Sequence, residues 1–178
     1  VHFGGTGLLY VVNNPIINPT AVTWDAGGAD LLMSTAANWV GDATPAFDGT
    51  NLAVFATGGV TATVDVAANL YGMSFNRDGA FTLMSGAGVI SNGAGGIVAS
   101  ATNMTARTYT IVEDLVLSDN QTWYVGTNTG FTTLSVRGVV DDVFMPCNLV
   151  KSGAGVLNLT SSNTFDGTFT INDGDVNI

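Results

Sequence analysis

Short runs in which every second residue is apolar recur along most of this chain. VTATVDV puts Val60, Ala62, Val64 and Val66 on one side and Thr61, Thr63 and Asp65 on the other; Tyr71, Met73 and Phe75 alternate likewise, and Phe81 and Leu83 follow an Asp78-Gly79 turn. Successive Cβ atoms of a strand point to opposite faces, so this period predicts strands with one buried side. Further strands are predicted at Leu52–Phe55, Tyr109–Val112, Leu115–Leu117, Thr122–Val125, Phe131–Val136 and Val139–Val140, with glycine turns at SGAG from Ser85 and NGAGG from Asn92. The last stretch, 149–178, predicts three strands, in VLNLT, TFTIN and DVNI, separated by SGAG, SSNTFDG and NDGD. Each is too short to stand alone and buries only one face, so it needs another rung above or below it. The fold expected is all-β: a parallel, right-handed β-solenoid over residues 21–178, of about six rungs and roughly 30 Å long at the usual strand spacing.

Residues 1–20 break the pattern. LLYVV is a continuous apolar run, followed by Asn14-Pro15 and Asn18-Pro19, and proline blocks both a helix and a central strand, so an extended N-terminal arm is expected. The arm could cover the open end of its own solenoid, or pair with a neighbouring subunit as an added strand. At the other end the strand Asp175–Ile178 is followed by no polar capping segment, which repeat proteins normally need. Together these features nominate Leu8, Leu9, Tyr10, Val11, Val12, Ile16, Ile17, Val176 and Ile178 as subunit-interface residues. Contact between unlike ends does not close, so the homo-oligomer expected is a head-to-tail polymer.

Composition narrows the partners. The chain has 178 residues, 46% apolar and only 10% charged, with a net charge of −10. Nucleic acid and anionic membrane both require a basic face, so neither is expected as a partner. The longest apolar run, Leu8–Val12, is far short of the roughly 20 residues that span a bilayer, so no membrane insertion is expected either. A start at Val1 suggests processing or excision from a longer product. Cys147 is the lone cysteine, read as a small apolar residue beside Pro146.

Candidate chemistry is sparse. Trp24 and Trp39 could stack on sugars, or plug the first rung as large apolar bodies, the reading preferred; STAAN between them predicts one helical turn with a Ser or Thr cap. Glu113-Asp114 and Asp141-Asp142 are adjacent in sequence, which sends their side chains to opposite faces of a strand, and are expected at solvated loop positions. His2, the lone histidine, lies in the arm, so a Ser-His-Asp site is not expected. NDGD at 172–175 reads as a tight turn rather than a metal loop. Arg77, Arg107 and Arg137 lie at a common spacing equal to the length of the terminal unit, and would form one column if that were the rung period. Neither a cofactor nor an enzymatic activity is expected.

The stretch LVKSGAGVLNLTSSNTFDGTFTINDGDVNI resembles the autotransporter-associated β-strand repeat, through Lys151, Gly153, Gly155, Leu157, Leu159, Asn163, Thr164, Phe165, Gly167, Thr168 and Gly174. The Trp24–Pro45 stretch and LSDNQTW (117–123) look like other recurring pieces of the same bacterial surface proteins. The resemblance implies a parallel β-solenoid in an exported protein, with no defined catalytic chemistry and a structural role for Lys151; joined to the uncapped last strand and the arm, it makes the function expected that of a non-enzymatic structural protein of the bacterial cell surface or extracellular matrix, assembling into filaments. Its alternative is a passenger or adhesin segment that binds glycans.

Overall fold

The computed structural model describes residues 18–100, 105–126, 132–143 and 145–178. Fifteen strands run along these residues: β1 (Thr20–Thr23), β2 (Asn51–Phe55), β3 (Thr61–Val64), β4 (Ala67–Asn76), β5 (Phe81–Ser85), β6 (Val89–Ser100), β7 (Arg107–Ile111), β8 (Leu115–Leu117), β9 (Gln121–Val125), β10 (Thr132–Val136), β11 (Val140–Asp141), β12 (Leu149–Ser152), β13 (Val156–Leu159), β14 (Phe169–Ile171) and β15 (Asp175–Asn177). Every pairing between them is parallel. One sheet stacks β1-β2-β4-β6-β9-β12-β14, with β8 and β11 alongside the first half of β6; the other stacks β3-β5-β7-β10-β13-β15. Five turns of the coil therefore separate β3 from β15, and the fold is the parallel β-solenoid expected.

The alternating residues become columns. Ala53, Met73, Ile97, Trp123, Lys151 and Ile171 lie one above another on the first sheet. Phe81, Tyr109, Leu134, Leu157 and Val176 do so on the second. Rings are stacked between layers, with Phe55 on Phe75 at 5.1 Å and Phe75 on Tyr109 at 5.5 Å between centroids. These aromatics are fully buried, and each large apolar side chain so placed contributes about 1.5–3 kcal/mol relative to exposure.

Two expectations change here, and the conditional arginine column does not form. NGAGG does not end a strand: β6 runs from Val89 to Ser100 straight through it, and its ladder with β4 shifts register between Leu70 and Gly72. The glycines let the chain bend round a corner there, and pairing with β4 resumes at Gly96. The terminal unit holds four strands and not three, because Leu149–Ser152 is also a strand, and β14 and β15 form a second layer over β12 and β13. It therefore contributes to two layers of the coil, one full step of twenty residues and part of the next. Along the Ala53 to Ile171 column the step between rungs runs from 20 to 28 residues, so the arginine spacing is not the rung period. Arg77 and Arg107 do share a corner, where an Arg107 guanidinium nitrogen donates to the Arg77 carbonyl at 2.7 Å and faces Asp78 at 3.3 Å. Arg137 lies elsewhere, just after β10, with its amide on the Ile111 carbonyl.

Candidate functional site

The first described turn is closed by side chains. Trp24 and Trp39 are buried edge to face, 5.3 Å apart at 87°, and form an antiparallel bridge, in contrast to the parallel ladders elsewhere. The amides of Asp25 and Ala26 donate to the Asn38 carbonyl, and that of Val40 to the Thr23 carbonyl, so this stretch of the outer edge is already paired. The Trp39 indole donates to the Met33 carbonyl at 2.9 Å; the buried Trp24 indole N–H meets no acceptor among the described residues. The two tryptophans are thus the plug expected, and no indole face is free for a sugar.

Asn38, which the sequence reading passed over, organises this end. It is fully buried. Its side-chain oxygen accepts from the Gly28 amide, and its nitrogen donates to Asp30 and to the Leu32 carbonyl, each at 3.0 Å. The helical turn expected in STAAN forms as a short 3-10 turn, Ala36–Asn38, but without a side-chain cap. The Thr35 hydroxyl donates instead to Asp30, and the Ser34 hydroxyl to Asp65. The Leu32 amide, and then the Thr35 hydroxyl, hold the Asp30 carboxyl below its ordinary range. Ala26, Asp42 and Phe47, the non-glycine residues with positive φ among those described, all lie in this segment, each costing about 1–2 kcal/mol. Only a fixed network of side chains keeps such a path.

The last turn is open. Val176 is half-buried, Ile171 is 53% exposed and Ile178 is 89% exposed. Val176 and Ile171 continue the core columns of the two sheets at this turn. Leu159, Phe165, Phe169 and Ile178 line an open concavity of about 630 Å³ at this end. Of the nominated interface residues, Val176 and Ile178 therefore sit at the uncovered end, while Leu8, Leu9, Tyr10, Val11, Val12, Ile16 and Ile17 lie outside the described residues. Phe165 and Phe169, which also border that concavity, are half-buried against the core.

Below that open layer, the polar groups of the terminal unit bind backbone. Lys151 occupies a core position between Trp123 and Ile171 and is fully buried. Its ammonium donates to the carbonyls of Ser152 at 3.2 Å, Gly153 at 2.6 Å and, in the next turn, Asp173 at 2.9 Å. Burial pulls its pKa below the usual lysine value, and the Asp173 and Asp175 carboxylates pull it back. Gly174 passes directly over it: a Cβ there would sit 2.8 Å from the ammonium nitrogen, and φ is +74°. The Asn163 side chain accepts from the Val140 amide at 2.9 Å, tying the NTFDG turn to the layer beneath. NDGD forms a turn, with the Asp173 carboxylate on the Gly174 amide.

The acidic pairs differ from expectation in one respect. Glu113 and Asp142 are buried, not solvated. Glu113 accepts from the amides of Gly86 and Asp114, and Asp142 from those of Cys147 at 2.7 Å and Asp166 at 3.0 Å. Unpaired turn amides need acceptors where water is excluded, and these carboxylates supply them. Burial raises the Asp142 pKa, but the amides of Cys147, Asp166, Gly167 and Asp142 itself outweigh it, and the carboxyl lies below its ordinary value. Cys147 is buried as expected, and burial, then Asp142 and Asp119, pushes its thiol up. No group of three or more His, Cys, Asp or Glu residues suited to a metal occurs among the described residues.

Comparison with curated proteins and with solved structures gives no match. Residues 149–178, the stretch that holds Lys151, Asn163 and Gly174, match the model of the passenger-associated-transport-repeat family.

Proposed function

We propose that this chain is a non-enzymatic structural segment of a bacterial passenger protein, displayed at the cell surface or released outside the cell. The carrying observation is how the repeat uses its polar groups. Lys151 and Asn163, and Asp142 beneath them, all bind the backbone of neighbouring turns, an arrangement that joins layers instead of holding a reactant. Such a rod would serve as a spacer or a scaffold. Its test is incubation of the purified chain with neutral and acidic polysaccharides, with product release followed over time. No new reducing ends are expected, and steady release of fragments would overturn the reading.

A second reading rests on the uncovered Ile171, Val176 and Ile178: the open layer receives another copy, and the chain polymerises. The Thr23–Ala26 edge is occupied by the Asn38–Val40 segment, so the receiving surface on the neighbour must be a different one. Electron microscopy with light scattering separates the two readings. Fibres with an axial repeat near one solenoid length would establish polymerisation, and compact monomers at high concentration would remove it.

A further inference from the structure

Where β4, β6 and the β8–β9 connection turn the same corner, the surface carries two shallow concavities. One, about 260 Å³, is lined by Asp48, Asn69, Tyr71, Ala94, Ser118 and Asp119. The other, about 230 Å³, is lined by Ala94, Gly95, Asn120, Thr122, Asn148 and Val150. Ala94 borders both, so they join into a trough that crosses successive layers. Asp48 bridges to Asn69, and the Asn120 side chain accepts from the Asn148 amide, so these groups come from stacked rungs. Their spacing along the trough is that of neighbouring strands, roughly 4.8 Å.

The chemistry of the lining is specific. The side-chain oxygens of Asn120 and Asn148 are engaged by the amides of Asn148 and Thr168, which leaves both carboxamide nitrogens to donate outward. Asp48 and Asp119 are exposed and supply acceptors, and Asn69 supplies both kinds of group. Tyr71 is half-buried and its ring lies against Gly95, where a Cβ would come within 2.5 Å of two ring carbons. Any residue but glycine at 95 would lift the ring off the sheet. Carboxylates, carboxamides and an aromatic face are the groups that hold sugar hydroxyls and sugar C–H surfaces. An extended β-linked glycan also advances by close to one strand spacing per sugar. Neither concavity has a Lys or Arg among its described lining residues, and the two carboxylates together with the net charge of −10 repel polyanions. A peptide strand would need an unpaired sheet edge, whereas β6 is paired with β4 on one side and with β8 and β9 on the other, which leaves only the three corner residues 93–95 outside the ladders.

We propose that this trough binds a neutral, extended glycan along the solenoid axis, with one sugar against Tyr71 and neighbouring hydroxyls held by Asp48, Asn69, Asp119 and Asn120. This site is separate from Trp24 and Trp39, and the structural role of the rod stands whether or not it is occupied. The test is calorimetric titration of the intact chain with neutral hexasaccharides of the cellulose, xylan, mannan, chitin and mixed β-glucan types, with oligogalacturonate as the anionic comparison. At least one neutral glycan should bind, and oligogalacturonate should not. Tyr71→Ala should weaken binding about tenfold, the equivalent of 1.4 kcal/mol. Asp119→Ala and Asn69→Ala, at exposed positions that leave the fold intact, should weaken it severalfold and keep the proposal testable if the Tyr71 variant misfolds. Absence of neutral-glycan binding, preference for the anionic ligand, or full affinity in the Asp119 and Asn69 variants would overturn it.

Discussion

The first and last described turns of this coil are built from the same kind of strand and differ in what covers them. At the first turn a buried tryptophan pair, the Asn38 network and an antiparallel segment over Thr23–Ala26 close the columns. At the last turn the columns stop with Ile171 and Ile178 in solvent. Closure required departures from regular structure, including left-handed backbone at Ala26, Asp42 and Phe47, and a step of 31 residues from Val22 to its stacking partner Ala53. The last turn required none, since it is one more ordinary layer. Regular layers thus follow from the strand pattern alone, whereas the covered first turn takes dedicated sequence.

The contrast can be broken most directly at the tryptophans. Trp39→Ala should cost about 3–5 kcal/mol in denaturant unfolding, whereas Phe169→Ala, at a half-covered site, should cost about 1 kcal/mol; equal losses would mean that the ends are not finished differently. Next is the junction below the open layer. Lys151→Met leaves three carbonyls without their donor and should cost about 1–3 kcal/mol. Hydrogen exchange should then accelerate at the amides of residues 172–175 while those of β2 and β4 keep their protection. Uniform acceleration would show that Lys151 supports the whole rod and not its last layer.

Acid sharpens the comparison at smaller amplitude. The Asp142 pKa in the folded chain lies below the ordinary 3.8, so its contribution is complete above that value and disappears as pH falls through the folded one. Stability measured below about pH 4 should decline less steeply in Asp142→Asn, and an unchanged acid limb would remove Asp142 from the account. The smallest effect belongs to Ile178→Asp, expected to change stability by no more than about 0.5 kcal/mol. Sedimentation would show whether the same change abolishes any self-association of the parent chain.

Much of the fold was legible in the sequence because the strands are amphipathic and turn residues separate them. Leu115–Leu117 forms a strand with the bounds the pattern predicts, and Trp24 and Trp39 plug the first turn as their size implied. What escaped the pattern was polar. Asn38 sits between alanine and tryptophan, and nothing local marks it as a buried hub, since its partners Gly28 and Asp30 lie across a loop. Glu113 and Asp142 read as solvated because their acceptor role depends on amides in other turns. The Leu149–Ser152 strand was hidden by Lys151, a charged residue at a core position. NGAGG looked like a break because glycine serves equally for turning a chain and for bending a continuing strand.

Lys151 and Ile171 occupy successive places in one column within a single thirty-residue repeat. The repeat is thirty residues long and the step from Lys151 to Ile171 is twenty, so repeat and coil are out of phase. A tandem copy would carry its lysine only ten residues past Ile171, half of that step, and so off the wall that holds Lys151. Growth by duplication would therefore turn each buried cation to a different wall from the one before it, which keeps like charges from stacking in a dry interior.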